Sequence, residues 1–263
     1  MDGPPIGDAL DMFQRATTRF SRQLRTVSDG SQRVRHLDWT ISETGAHVLG
    51  ILRGYRDLAG GGPPIWPDLE HGDDHNAALL AATPERDPRR VADAIDQVAP
   101  GLGAVWAAHA GEALAWHAGL TVPVASITAM VANDVLIHGW DLATTVGQAW
   151  PIAGPDSVVA VRGLSAVLPA FVDPVHAAGV RITYRIALRG GPVMTWSFDD
   201  GTLTVVEGAA ARPDCRVSAA PTAWNLSGYG RLPAWKAALT GQVVVYGRRP
   251  WLISKVNSLL RRA

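Results

Sequence analysis

Apolar residues recur at helical spacing through the first half of the chain and at strand spacing through much of the second. Ile6, Leu10, Phe13, Phe20 and Leu24 mark one face of a first helix, with Pro5 at its start. Polar residues from Ser28 to Arg35 end it. Thr40 or Ser42 can cap a second helix, which carries Glu43 in its first turn and then Ala46, His47, Leu49, Gly50, Leu52 and Arg53. Gly60-Gly61-Gly62-Pro63-Pro64 breaks that helix, and a long loop is expected to about residue 77. Further helices are expected over 88–110 and from Pro123 to about Val146, where Gly147 closes the run. Four helices with one long connection predict a bundle.

The period changes in the second half. One more helix is expected over 156–171. Arg181, Thr183, Arg185 and Ala187 then alternate with Ile182, Tyr184, Ile186 and Leu188, as in a half-buried strand. Similar runs follow at 193–198, 202–206 and 215–219, with Asp199-Asp200-Gly201 as a hairpin turn. A helix opened by Pro221, a strand at 243–246 and a terminal helix from about Pro250 complete the chain. Grouped strands flanked by helices indicate an α+β fold with a mostly antiparallel sheet. The boundary falls near 147–155, giving a helical bundle over 1–150 and a smaller α+β domain over 151–263.

Composition narrows the possibilities. At 47% apolar and 18% charged over 263 residues, the chain can build substantial cores. A single cysteine excludes a disulfide framework and any multi-cysteine metal site. Lys+Arg and Asp+Glu both number 24, so there is no basic excess to favour nucleic acid. The balance hides an asymmetry: residues 1–150 hold 11 basic and 18 acidic side chains, a net −7, and the remainder holds 13 and 6, a net +7. The apolar stretch 113–133 includes His117, Gly119 and Pro123 and is read as buried, not as a membrane span. In the terminal segment Leu252, Val256, Leu259 and Leu260 share a face, which is expected to pack on the sheet and not on a membrane. The first ten residues lack the features of a signal peptide, and cytoplasm is the expected location. Monomer and dimer both remain open.

The chemistry concentrates in 133–143. Asp134, His138 and Asp141 stand at i, i+4 and i+7, on one face of an otherwise apolar helix. A buried polar stripe needs partners. A divalent metal, zinc above all, is one partner that suits imidazole and carboxylate. A buried Asp–His pair bracing two helices is the other reading. His47, on the second helix among apolar neighbours, is the best third ligand. Other features are weaker. His71-Gly72-Asp73-Asp74-His75 reads as a solvated acidic loop, with a lid as the alternative. Cys215 points inward from its strand. Arg53 and Arg56, and Arg248 and Arg249 after the last strand, can hold a carboxylate or phosphate or simply face solvent. Ser227 lacks a nucleophile elbow, and Gly101-Leu102-Gly103 lacks the third glycine of a dinucleotide fingerprint.

Asp38-Trp39-Thr40, Glu43 and Ala46-His47-Val48-Leu49-Gly50, followed by Asp134 to Ala143, resemble the two separated motifs of the mycothiol-dependent maleylpyruvate isomerase family. That family belongs to the DinB-like group of metal-binding four-helix bundles, and the resemblance spans about 6–147. It implies His47, Asp134 and His138 as metal ligands; Asp141 matches the Asp of the family's Trp-Asp pair and is expected to orient His138 or the helix packing. The family usually has Glu where this chain has Asp134, one methylene shorter, so direct ligation and ligation through water both stay open. Gly201 to Gly208, Pro213-Asp214-Cys215 and Leu239 to Gly247 resemble a sterol-carrier-protein-2-like domain. In the family such a domain supplies basic groups to the substrate; Arg248 and Arg249, with Arg53 on the bundle, are the candidates here. The implied activity is that of a divalent-metal enzyme using mycothiol, a low-molecular-weight thiol, against a small-molecule electrophile. Cis–trans isomerisation and S-transfer are both consistent with it. The rivals are a non-catalytic binder of an apolar or lipid ligand with a structural metal, and a metal hydrolase or lyase that needs no thiol.

Overall fold

The computed structural model describes residues 3–261. The fold is α+β, and its contacts divide it into Pro4–Pro151 and a second unit from Ile152 onward.

The first unit is built on four long helices: α1 (Ile6–Thr26), α2 (Ile41–Ala59), α4 (Pro88–Ala108) and α5 (Val124–Thr145). Phe20, Leu24, Leu49, Leu52, Ile95 and Trp106 are buried among them. The helix starts follow local chemistry. Thr40 and Glu43 form a reciprocal capping box at α2. Pro88 opens α4 behind Asp87, whose carboxylate accepts the N–H groups of Arg89 and Arg90. Most of α5 is buried on all sides, which explains the absence of charged residues outside its Asp134–Asp141 stripe. Gly139 lies in the middle of α5 because a Cβ there would come within 2.1 Å of the Trp150 ring. The Arg19 guanidinium stacks on the same indole, 3.8 Å from its centroid, and donates to the Pro151 carbonyl. The end of this unit is thereby fixed to the turn of α5 that follows His138.

Two expectations need correction here. The loop expected to residue 77 contains α3 (Gly72–Ala82), so His75 stands in a first helical turn. Of α3 only Gly72 is buried, and without an apolar stripe a surface helix has no periodic signature. The stretch before α5 is a small antiparallel hairpin, β1 (Ala113–Ala115) and β2 (Thr121–Pro123). Three-residue strands are too short for an alternation to show. At its tip Ala118 adopts φ 53° and donates its N–H to the Trp66 carbonyl.

The second unit opens with α6 (Gly154–Ser165) and a 3₁₀ turn (Leu168–Phe171), then builds a five-stranded sheet. The strands are β3 (Arg181–Leu188), β4 (Val193–Asp199), β5 (Thr202–Glu207), β6 (Cys215–Ala219) and β7 (Val243–Tyr246), in the order β5-β4-β3-β6-β7. All pairs are antiparallel except β3–β6. Ile182, Tyr184, Ile186, Met194 and Phe198 form its inner face. Helices α7 (Pro221–Gly228) and α8 (Ala234–Leu239) precede β7; α8 is absent from the sequence pattern because it buries only Ala237. The terminal segment is a 3₁₀ helix, Pro250–Ser258, and not an α-helix. Its Leu252 and Val256, with Leu259, enter the core as expected; Arg262 lies outside the described residues. No described helix is long and apolar enough to cross a membrane.

Candidate metal centre

Helices α2 and α5 bring three side chains together. His47, Asp134 and His138 each offer a ligand atom, and these atoms lie within 4.8 Å of one another. Among the described residues this is the one group of three His, Cys, Asp or Glu side chains so arranged. His138 Nε2 lies 3.5 Å from Asp134 Oδ1, one helical turn away, and its Nδ1 lies 3.5 Å from Asp141 Oδ2. The His47 and His138 rings meet edge to face at 5.1 Å. Both imidazoles and Asp141 are buried. The Asp134 side chain is 33% exposed, so the centre reaches solvent on the Asp134 side.

The two histidines have opposite electrostatics. Burial lowers His47 to about 4; Asp134 raises it and His138 lowers it further, the burial dominating. Burial also opposes the charge on His138, but Asp134 and Asp141 together outweigh it and hold the group at about 9. Neutral His47 has a buried Nδ1 with no hydrogen-bond partner. A neutral imidazole with an orphaned nitrogen, beside a carboxylate and a second imidazole, is the donor set a divalent ion takes. The residues present therefore fit a metal.

Trp39 is the neighbour that sequence reasoning left without a role. Its indole lies 4.6 Å from the His47 ring and 6.2 Å from the His138 ring, covering both. The capping box at Thr40 fixes the chain immediately after it. Trp140 points elsewhere and stacks on His36 at 5.4 Å.

A second buried cluster lies further along α2. Trp66 N–H donates to His117 Nδ1 at 3.3 Å, so Nε2 carries the proton and donates to Tyr55 Oη at 3.0 Å. Trp116 Nε1–H donates to the same oxygen at 2.8 Å, and the Trp66 ring stacks on His117. This ties the connection after α2 to the hairpin tip. Burial, with a smaller contribution from His75, lowers His117 to about 4. The unfolded chain takes up this proton near pH 6.5, whereas the native chain resists it. The stability linked to His117 is thus complete above pH 6.5 and is lost as pH falls towards 4, about 3 kcal/mol in total. Denaturant midpoints across that range should fall less steeply for His117→Asn than for the parent; identical slopes would contradict the assignment.

The His71–His75 stretch has a partner of its own. Asp68 accepts the N–H groups of Glu70 and His71 and faces His71 Nδ1 at 3.0 Å and His75 Nε2 at 3.2 Å. The histidine pair of 71–75 thus closes a local clamp around one carboxylate. Arg53 stands about 240° around α2 from His47. Arg56 pairs with its neighbour Asp57. Arg248 and Arg249, in the second unit, both face Asp214. Cys215 is fully buried, and that burial raises its thiol pKa.

No family model and no curated protein matches this chain. Solved structures do. A mutant of mycothiol-dependent maleylpyruvate isomerase aligns with 93% of this chain and 95% of its own, at TM-score 0.57 and 18% identity. A second structure of mycothiol-dependent maleylpyruvate isomerase aligns over 88% and 92%, at TM-score 0.53 and 20% identity. The chain thus shares the fold of mycothiol-dependent maleylpyruvate isomerase.

Proposed function

We propose that this chain is a divalent-metal enzyme that uses a low-molecular-weight thiol, mycothiol, against a small electrophile, by isomerisation or S-transfer. The observation that carries this reading is the convergence of His47, Asp134 and His138 on a fold shared with a mycothiol-dependent isomerase. Zinc suits the two imidazoles and one carboxylate. Bound there, the ion would lower the pKa of a coordinated thiol and make it a nucleophile at neutral pH.

The protein's own contributions follow from the geometry. Burial keeps His47 neutral, in the form that ligates. Asp141, behind His138 Nδ1, orients that ring so that Nε2 faces Asp134 and the centre. The Trp39 indole shields both imidazoles from water. Asp134, the most exposed of the three, borders the side from which a thiol enters. Arg53, Arg248 and Arg249 remain candidates for holding the anionic groups of thiol or substrate.

The test is metal analysis of purified protein followed by calorimetry with mycothiol. One divalent ion per chain is expected, with thiol binding in the parent and none in His47→Ala. Metal without thiol binding would favour hydrolase or lyase chemistry, in which the ion activates water. Absence of metal would refute the enzyme reading.

A further inference from the structure

Asp214 is the last acidic residue of the chain; the 49 residues after it carry eight Lys or Arg and no Asp or Glu. Both lysines of the protein, Lys236 and Lys255, belong to this stretch. So do five of the eight exposed large apolar side chains among the described residues: Trp235, Leu239, Val244, Tyr246 and Trp251.

These residues stand on three consecutive elements, α8, β7 and the terminal 3₁₀ helix, at the β7 edge of the sheet. Trp235 and Leu239 stand at i and i+4 on α8, exposed at 66% and 80%, with Lys236 exposed beside them. α8 leads into β7, the edge strand, whose Val244 and Tyr246 are also exposed. The 3₁₀ helix that follows sends Leu252 and Val256 into the core and leaves Trp251 66% exposed, with Lys255 four residues on. The core does not use these indoles, and leaving them in water is costly. Exposed indoles and lysines on the same edge suit the boundary between lipid headgroups and acyl chains, where a ring is buried and an ammonium meets an anionic phosphate.

We propose that the α8–β7–3₁₀ edge is a peripheral docking surface for an anionic phospholipid bilayer. A second copy of the chain fits poorly, because a two-fold contact would set the exposed lysines of this surface against one another. The bilayer supplies the opposite charge and the apolar layer together.

The full chain should be sedimented with vesicles of phosphatidylcholine alone and with vesicles containing about one-third phosphatidylglycerol, at low and high salt. Binding is expected only to the anionic vesicles, weakening with salt and accompanied by a blue shift of tryptophan emission. Lys236→Gln and Lys255→Gln should each weaken partitioning about five-fold. Trp235→Ala/Trp251→Ala should lose binding while keeping the parent melting temperature, which separates lost docking from lost folding. The proposal is overturned by equal partitioning to both vesicle types, or by undiminished binding of the double tryptophan variant. It is also overturned if the patch instead drives concentration-dependent dimerisation that Trp235→Ala abolishes.

Discussion

Substituting His47 by alanine should remove the divalent ion and leave the metal-free protein's stability within about 1 kcal/mol of the parent. The cavity left by the ring is offset by the loss of a buried nitrogen that has no hydrogen-bond partner. His138→Ala should also remove the ion, with a different stability outcome. His138 faces Asp134 and fully buried Asp141 at 3.5 Å, one carboxylate per nitrogen. Its removal takes from fully buried Asp141 the imidazolium that offsets part of its charge, at a cost of about 3 kcal/mol. If the ion supplies about 4 kcal/mol of transition-state stabilisation, both variants lose activity about a thousand-fold. Metal stoichiometry and urea unfolding of chelator-treated protein distinguish the two residues. A His47→Ala variant that retains its ion would remove His47 from the ligand set. Unchanged stability of His138→Ala would mean that the buried pair does not brace the helix.

This asymmetry also explains how far the site could be read beforehand. The α5 half is local: Asp134, His138 and Asp141 lie within eight residues of one helix, and helical geometry alone places them on one face. The α2 half is not local. Nothing in the spacing of His47 shows that α2 meets α5 at that turn; its apolar neighbours make it a candidate, and the resemblance to a two-motif family strengthens the pairing. Trp39 escaped for a related reason. It precedes the cap of α2, outside any periodic element, so its position over both imidazoles depends on the chain path before Thr40. The sheet was more legible, because β3 and β6 each bury alternate residues for their whole length. What remained hidden, α3, α8 and the β1–β2 hairpin, has almost no buried face or is too short to show a period.

Asp141 tests whether the region behind the proposed ligands tunes the centre. Its side chain is fully buried, a position a carboxylate occupies only with strong compensation. Asp141→Asn keeps the shape and removes the charge. The amide can accept from His138 Nδ1 but no longer stabilises charge on that ring, so metal affinity should fall about 10–100-fold with the fold intact. Asp141→Ala also removes the contact. It leaves a cavity behind His138 and frees the ring to rotate, so it should cost metal affinity and about 3 kcal/mol of stability together. Competition against a chelator of known affinity gives the first quantity, and unfolding of the metal-free protein gives the second. Parent-like metal affinity in Asp141→Asn would show that Asp141 serves only to pack α5. The orientation of His138 would then depend on its other neighbours, Asp134, His47 and Trp39.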